Sequence, residues 1–100
     1  MTRYTLDDSH DGSSLRLRTG DVVVLRLREN PEAGERWEIL AAPGFVLEAD
    51  DFTRAASGGG ERALRFKAGA AGTARINAVL RRRSEIAPSH RGFSLAATVE

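Results

Sequence analysis

The stretch that decides the fold reads Asp21-Val22-Val23-Val24-Leu25-Arg26-Leu27-Arg28-Glu29, followed at once by Asn30-Pro31-Glu32-Ala33-Gly34-Glu35-Arg36-Trp37. In its first half, Val23, Leu25 and Leu27 share one phase of a period-two pattern, and Val24, Arg26 and Arg28 share the other. Side chains alternate across a strand, so this segment offers one apolar and one largely charged face. In its second half, proline cannot donate to a ladder, and glycine adopts backbone angles that other residues avoid. An Asn-Pro pair with Gly34 shortly after it predicts a shaped loop between two strands. Pro31-Glu32-Ala33 has the beginnings of a helical turn, which Gly34 cuts short. Trp37 then returns the chain to a buried face. A stiff, exposed loop on a sheet is a device for contacting a partner.

The same alternation extends in both directions. Leu15 and Leu17 alternate with Arg16 and Arg18, and Thr19-Gly20-Asp21 reads as a turn. Beyond the loop, Trp37 and Ile39 share a face, Ala42-Pro43-Gly44 is a break, and Phe45, Leu47 and Ala49 form a short strand. Leu64 and Phe66 alternate with Arg65 and Lys67. Ala74, Ile76, Ala78 and Leu80 alternate with Arg75, Asn77, Val79 and Arg81. Residues 82–91 are polar, contain Pro88 and read as a long loop, and Phe93, Leu95, Ala97 and Val99 close the chain. The pattern predicts an all-β fold of about seven or eight short antiparallel strands, a sandwich or barrel. Stacking two such sheets with their apolar faces inward favours the aligned sandwich, with Trp37 and Phe66 in its core.

Composition bounds the rest. One hundred residues make a single domain spanning 1–100, with 41% apolar and 29% charged residues, as in an ordinary globular protein. The formal charge of +1 supplies no field for nucleic acid or a membrane surface. Cysteine is absent, so packing alone must hold the fold. Residues 1–8 contain no apolar leader segment, which predicts a cytoplasmic protein as written, or a secreted or periplasmic one if a leader has been trimmed. No apolar run approaches membrane-spanning length. A monomer is expected.

No catalytic constellation emerges, and no enzyme is expected. The two histidines, His10 and His90, sit in polar, loop-like settings beside Ser9 and Ser89. Adjacency in sequence does not make a nucleophile and base. With no cysteine and no histidine pair there is no metal site, and no cofactor is implied. Asp7-Asp8 and Asp50-Asp51 read as solvated turn residues. Gly58-Gly59-Gly60 lacks the Lys-Ser/Thr and the following helix of a phosphate cradle. Arg81-Arg82-Arg83 is a basic cluster without the neighbouring aromatics of a base-stacking platform, so nucleic-acid binding ranks third.

What remains is three unusual loops, at residues 30–36, 57–61 and 82–91. At these positions the chain resembles the chagasin family of cysteine-peptidase inhibitors. The family pattern is Asn-Pro-Thr-Thr-Gly-aromatic-x-Trp, then a Gly-x-Gly-Gly loop, then Arg-Pro-Trp after a strand. Asn30, Pro31, Gly34 and Trp37 stand at matching positions of the first motif, and Ser57-Gly58-Gly59-Gly60 with Phe66 resembles the second. Arg82 matches the Arg of the third. The resemblance spans nearly the whole chain. It implies an immunoglobulin-like sandwich and reversible inhibition of papain-like cysteine peptidases. It also implies that the first loop lies over the catalytic cysteine and histidine, with the other two gripping the cleft walls.

On that basis the partner-binding residues are Asn30, Pro31, Glu32, Ala33, Gly34 and Glu35 in the first loop, Gly58, Gly59 and Gly60 in the second, and Arg82, Arg83 and Ser84 in the third. Glu32 and Ala33 replace the two threonines, Glu35 replaces the aromatic, and Arg83 and Ser84 replace Pro and Trp. These exchanges of contact residues for charges motivate an alternative, a non-inhibitory protein-interaction module on the same body.

Overall fold

The computed structural model describes residues 1–82 and 91–100. Within them the chain forms eight strands: β1 (Arg3–Asp7), β2 (Ser13–Leu17), β3 (Val22–Glu29), β4 (Glu35–Ala41), β5 (Phe45–Arg54), β6 (Gly60–Ala68), β7 (Gly72–Arg82) and β8 (Gly92–Val99). They make two four-stranded sheets, ordered β1-β3-β6-β5 and β2-β8-β7-β4. The period-two pattern dictates this arrangement. Val23, Leu25 and Leu27 of β3, Leu64 and Phe66 of β6, Ile76 and Leu80 of β7 and Leu95 of β8 are all buried between the sheets, with Trp37 beside them. Phe45 meets Phe66 edge-on, with ring centroids 6.0 Å apart.

The sandwich expected from the pattern is the fold observed, with two refinements. Its strands are not antiparallel throughout. β1 runs parallel to β3, and β2 runs parallel to β8. The turn between β1 and β2 crosses from one sheet to the other, so each becomes an outer strand of a different sheet instead of half of a hairpin. The other refinement concerns β5, which runs on to Arg54 and includes Asp50 and Asp51. These were expected in a turn. As an outer strand β5 pairs only with β6, and its solvent-facing positions accept carboxylates. A register shift between Leu47 and Ala49 resets its phase and hides the alternation.

Candidate loop end of the sandwich

Strand pairing brings the ends of five strands to one pole. Glu29 lies opposite Gly60, Gly60 opposite Arg54, and Glu35 opposite Arg82. The first loop (30–34), the second loop (55–59) and the root of the third therefore emerge together.

The first loop is a closed, hydrogen-bonded unit. Pro31–Ala33 form a single 3-10 turn capped by the Asn30 side chain, whose Oδ1 accepts from the Glu32 N–H at 3.2 Å. The Asn30 carbonyl accepts from both Ala33 (3.1 Å) and Glu35 (3.0 Å). Gly34 ends the turn at φ +76°, a left-handed conformation that strains any residue with a Cβ. In the second loop, the Ala55 N–H donates to the Gly59 carbonyl at 2.9 Å, and Gly58 and Gly59 both have positive φ.

Glu35 and Gly60 are tied into the sandwich itself. Glu35 is only 8% exposed. Its Oε1 accepts from the Asn30 N–H at 3.0 Å and its Oε2 from Arg82 Nη2 at 3.1 Å. It latches the first loop to the root of the third. Gly60 begins β6, and a Cβ there would stand 2.3 Å from the Thr53 carbonyl and 2.5 Å from the Phe52 ring. Its missing side chain serves the close approach of β5 to β6. Asn30, Pro31, Gly34 and Gly59 are half-buried, whereas Glu32, Ala33, Gly58 and Arg82 are exposed. Arg83 and Ser84 lie outside the described residues, as does His90.

Beneath the loops sits an ion pair not singled out from the sequence, Glu29 with Arg62. Glu29 is 3% exposed. Arg62 donates to it through Nε and Nη2, both at 2.7 Å, and through Nη1 to Asp50 Oδ1 at 2.6 Å. Glu29 Oε2 also accepts from the Trp37 N–H of the other sheet at 2.8 Å. The Trp37 indole N–H returns the tie, donating to the Arg28 carbonyl at 2.8 Å. Arg62 further lies 5.5 Å from the centroid of Phe52. Burial works to raise the Glu29 carboxyl, but hydrogen bonds from Arg62 and Trp37 outweigh it and hold its pKa below the usual carboxylate value. The same bond to Glu29 keeps Arg62 firmly protonated.

The sequence did carry a signal for these pairs. Glu29 continues the inward phase of Val23, Leu25 and Leu27, and Arg62 shares the phase of Leu64 and Phe66. Glu35 shares the phase of Trp37, and Arg82 that of Leu80. Opposite charges in the inward phase at one end of neighbouring strands mark buried ion pairs.

A further segment reaches this pole. After β1, Asp8–His10 form a 3-10 turn whose Asp8 carboxylate accepts from the Arg28 N–H at 3.3 Å and from Arg91 at 3.4 Å. Ser9, His10 and Asp7 are neighbours here, but the Ser9 hydroxyl and the Ser9 N–H donate to Asp7, not to His10. His10 Nδ1 accepts from the Asp7 N–H at 3.1 Å. The group is a turn cap, not a nucleophile and base. No cluster able to hold a metal ion occurs among the described residues.

A family model, chagasin family peptidase inhibitor I42, matches residues 16–99 of the chain. No curated protein matches it. Among solved structures, a cysteine protease inhibitor from Entamoeba histolytica, EhICP2, superposes with a TM-score of 0.88 at 23% identity, over 100% of this chain and 97% of that one. Amebosin superposes with a TM-score of 0.80 at 19% identity, over 100% and 99%. PbICP-C, in complex with falcipain-2, follows at 0.56 and 16% identity, over 100% and 91%. At these identities the likeness establishes a shared fold.

Proposed function

The chain belongs to the chagasin family of peptidase inhibitors, and from that premise we propose that it blocks papain-like cysteine peptidases reversibly. The first loop enters the catalytic cleft, and the second and third loops rest on its walls. The observation that carries this reading is the gathering of residues 30–34, 55–59 and Arg82 at one pole, tied by Glu35–Arg82 and Glu29–Arg62. PbICP-C, of related fold, forms a complex with falcipain-2.

The geometry suits occlusion without chemistry. The first loop is already fixed by its own hydrogen bonds, so little backbone freedom is lost on docking and contact energy appears as affinity. An interface of about 1,600 Å² in total is sufficient for a specific complex. On this reading the task of the loop end is to fill the groove.

Titrating the domain against papain and a cathepsin tests the reading. Inhibition that follows a reversible tight-binding curve, and disappears when residues 30–34 are replaced by a Gly-Ser linker, is the expected result. A folded domain that leaves both enzymes active at micromolar concentration overturns it. The alternative, a non-inhibitory module on the same body, rests on the charges of Glu32, Glu35, Arg82 and Arg83 at the loop positions. It stands if the folded domain fails to inhibit.

A further inference from the structure

Glu32 sits on the first loop, in the part that enters the cleft if the proposed function holds; this inference rests on that reading. A lone carboxylate there is a liability. Docking strips it of water, and an unpaired buried charge is costly in any interface. Beside a peptidase thiolate the like charge adds to that cost.

Glu32 has a partner across the loops. Its Oε1 accepts from Arg54 Nη1 at 2.5 Å. Arg54 closes β5, immediately before the second loop. The other carboxylate oxygen faces Gly58 of the second loop, 3.9 Å from where a Cβ would stand. Gly58 has φ +98°, so a side chain is disfavoured at that point and the carboxylate keeps its path between the loops. The Glu32 backbone is fixed in turn by the Asn30 cap.

We propose that Arg54 is a specificity-determining residue of the inhibitory end. It neutralises Glu32 and bridges the first loop to the second, so the tip meets the peptidase as a paired, net-neutral surface. In the free protein the pair is worth little, because both side chains are more than half exposed. Its effect appears on docking, when water leaves and the charges can no longer be screened. The tip is thereby suited to clefts with neutral floors. A peptidase carrying a carboxylate beside the occupied groove competes for Arg54 and uncovers Glu32.

The test measures inhibition constants against papain for the parent, Arg54→Gln, Arg54→Lys, Glu32→Ala and the double variant Glu32→Ala/Arg54→Gln, with thermal melts alongside. All should melt close to the parent, since the pair lies at the surface. Arg54→Gln should weaken inhibition at least about tenfold, because it leaves a desolvated carboxylate unpaired. Arg54→Lys should retain most of the affinity. The double variant should return to within about threefold of Glu32→Ala, the sign of strong coupling between the two sites. An Arg54→Gln variant as potent as the parent overturns the inference alone. So does a deficit that Glu32→Ala does not relieve, since Arg54 would then be touching the peptidase itself. A parent that inhibits nothing removes the functional reading and this inference together.

Discussion

Trp37 joins the two sheets at the pole where the loops emerge, and it does so through three separate groups. Its ring is buried in the core, its indole N–H donates to the Arg28 carbonyl, and its backbone N–H donates to Glu29. The Trp37→Ala variant loses the ring and the indole bond at once. Removing a buried tryptophan costs about 3–5 kcal/mol. For a domain of this size each kcal/mol moves the melting temperature by about 4–8 °C. A fall of at least about 12 °C is expected by calorimetry or circular dichroism, and a variant melting within a few degrees of the parent refutes the assignment. Trp37→Phe keeps an aromatic ring but leaves the Arg28 carbonyl without its donor. Urea unfolding should show a loss of about 1 kcal/mol, the net worth of a part-buried hydrogen bond.

The first loop and its flanking strands act as a unit set by local chemistry. Asn30 caps, Pro31 starts the 3-10 turn, Gly34 ends it at φ +76° and Glu35 closes the unit from below. Gly34→Ala should therefore cost about 1 kcal/mol or more in stability, because alanine is strained at positive φ. It should weaken inhibition by a larger factor than that loss explains, because the turn changes shape; parallel melts and inhibition titrations separate the two effects. This unit was legible in the sequence, since every cue lies within a few residues of the next. So were β3, β7 and β8, whose inward positions are apolar except for Glu29 and Arg82 at the loop end. β5 was not, because its bulge resets the alternation and both of its faces carry charge. β1 was not legible because it is short and Leu6 is its one buried residue. The alternation marks Glu29 and Glu35 as inward, but it does not name their partners, which lie 33 and 47 residues away. Only the register of the sheets brings those pairs together.

Across the whole molecule, the two poles have separate jobs and separate carboxylates. At the pole away from the loops, Asp21 is buried and accepts from the Arg18 N–H at 2.8 Å and the Thr2 N–H at 2.9 Å. Those bonds pin the turn before β3 and the entry to β1, and they hold the Asp21 carboxyl below its ordinary value of 3.8. At the loop pole, Glu29 is held below its ordinary value of 4.5, since Arg62 and Trp37 more than offset its burial. Both groups bind protons more weakly in the folded chain than in the unfolded one. Their contribution to stability is thus fully present above those ordinary values and is lost as pH falls through the lower, folded ones. The melting temperature should be nearly flat from pH 7 down to about 5 and should fall steeply below about 4. Asp21→Asn and Glu29→Gln should each lower the plateau and flatten part of that fall. Inhibition should divide them. Asp21→Asn, measured well below its melting temperature, should match the parent against papain, because it loosens only the remote turn. Glu29→Gln should bind more weakly, because losing the charge that holds Arg62 and the Trp37 N–H lets the first loop drift relative to the second. Equal inhibition by both variants would mean that the buried ion pair stabilises the fold without positioning the loops.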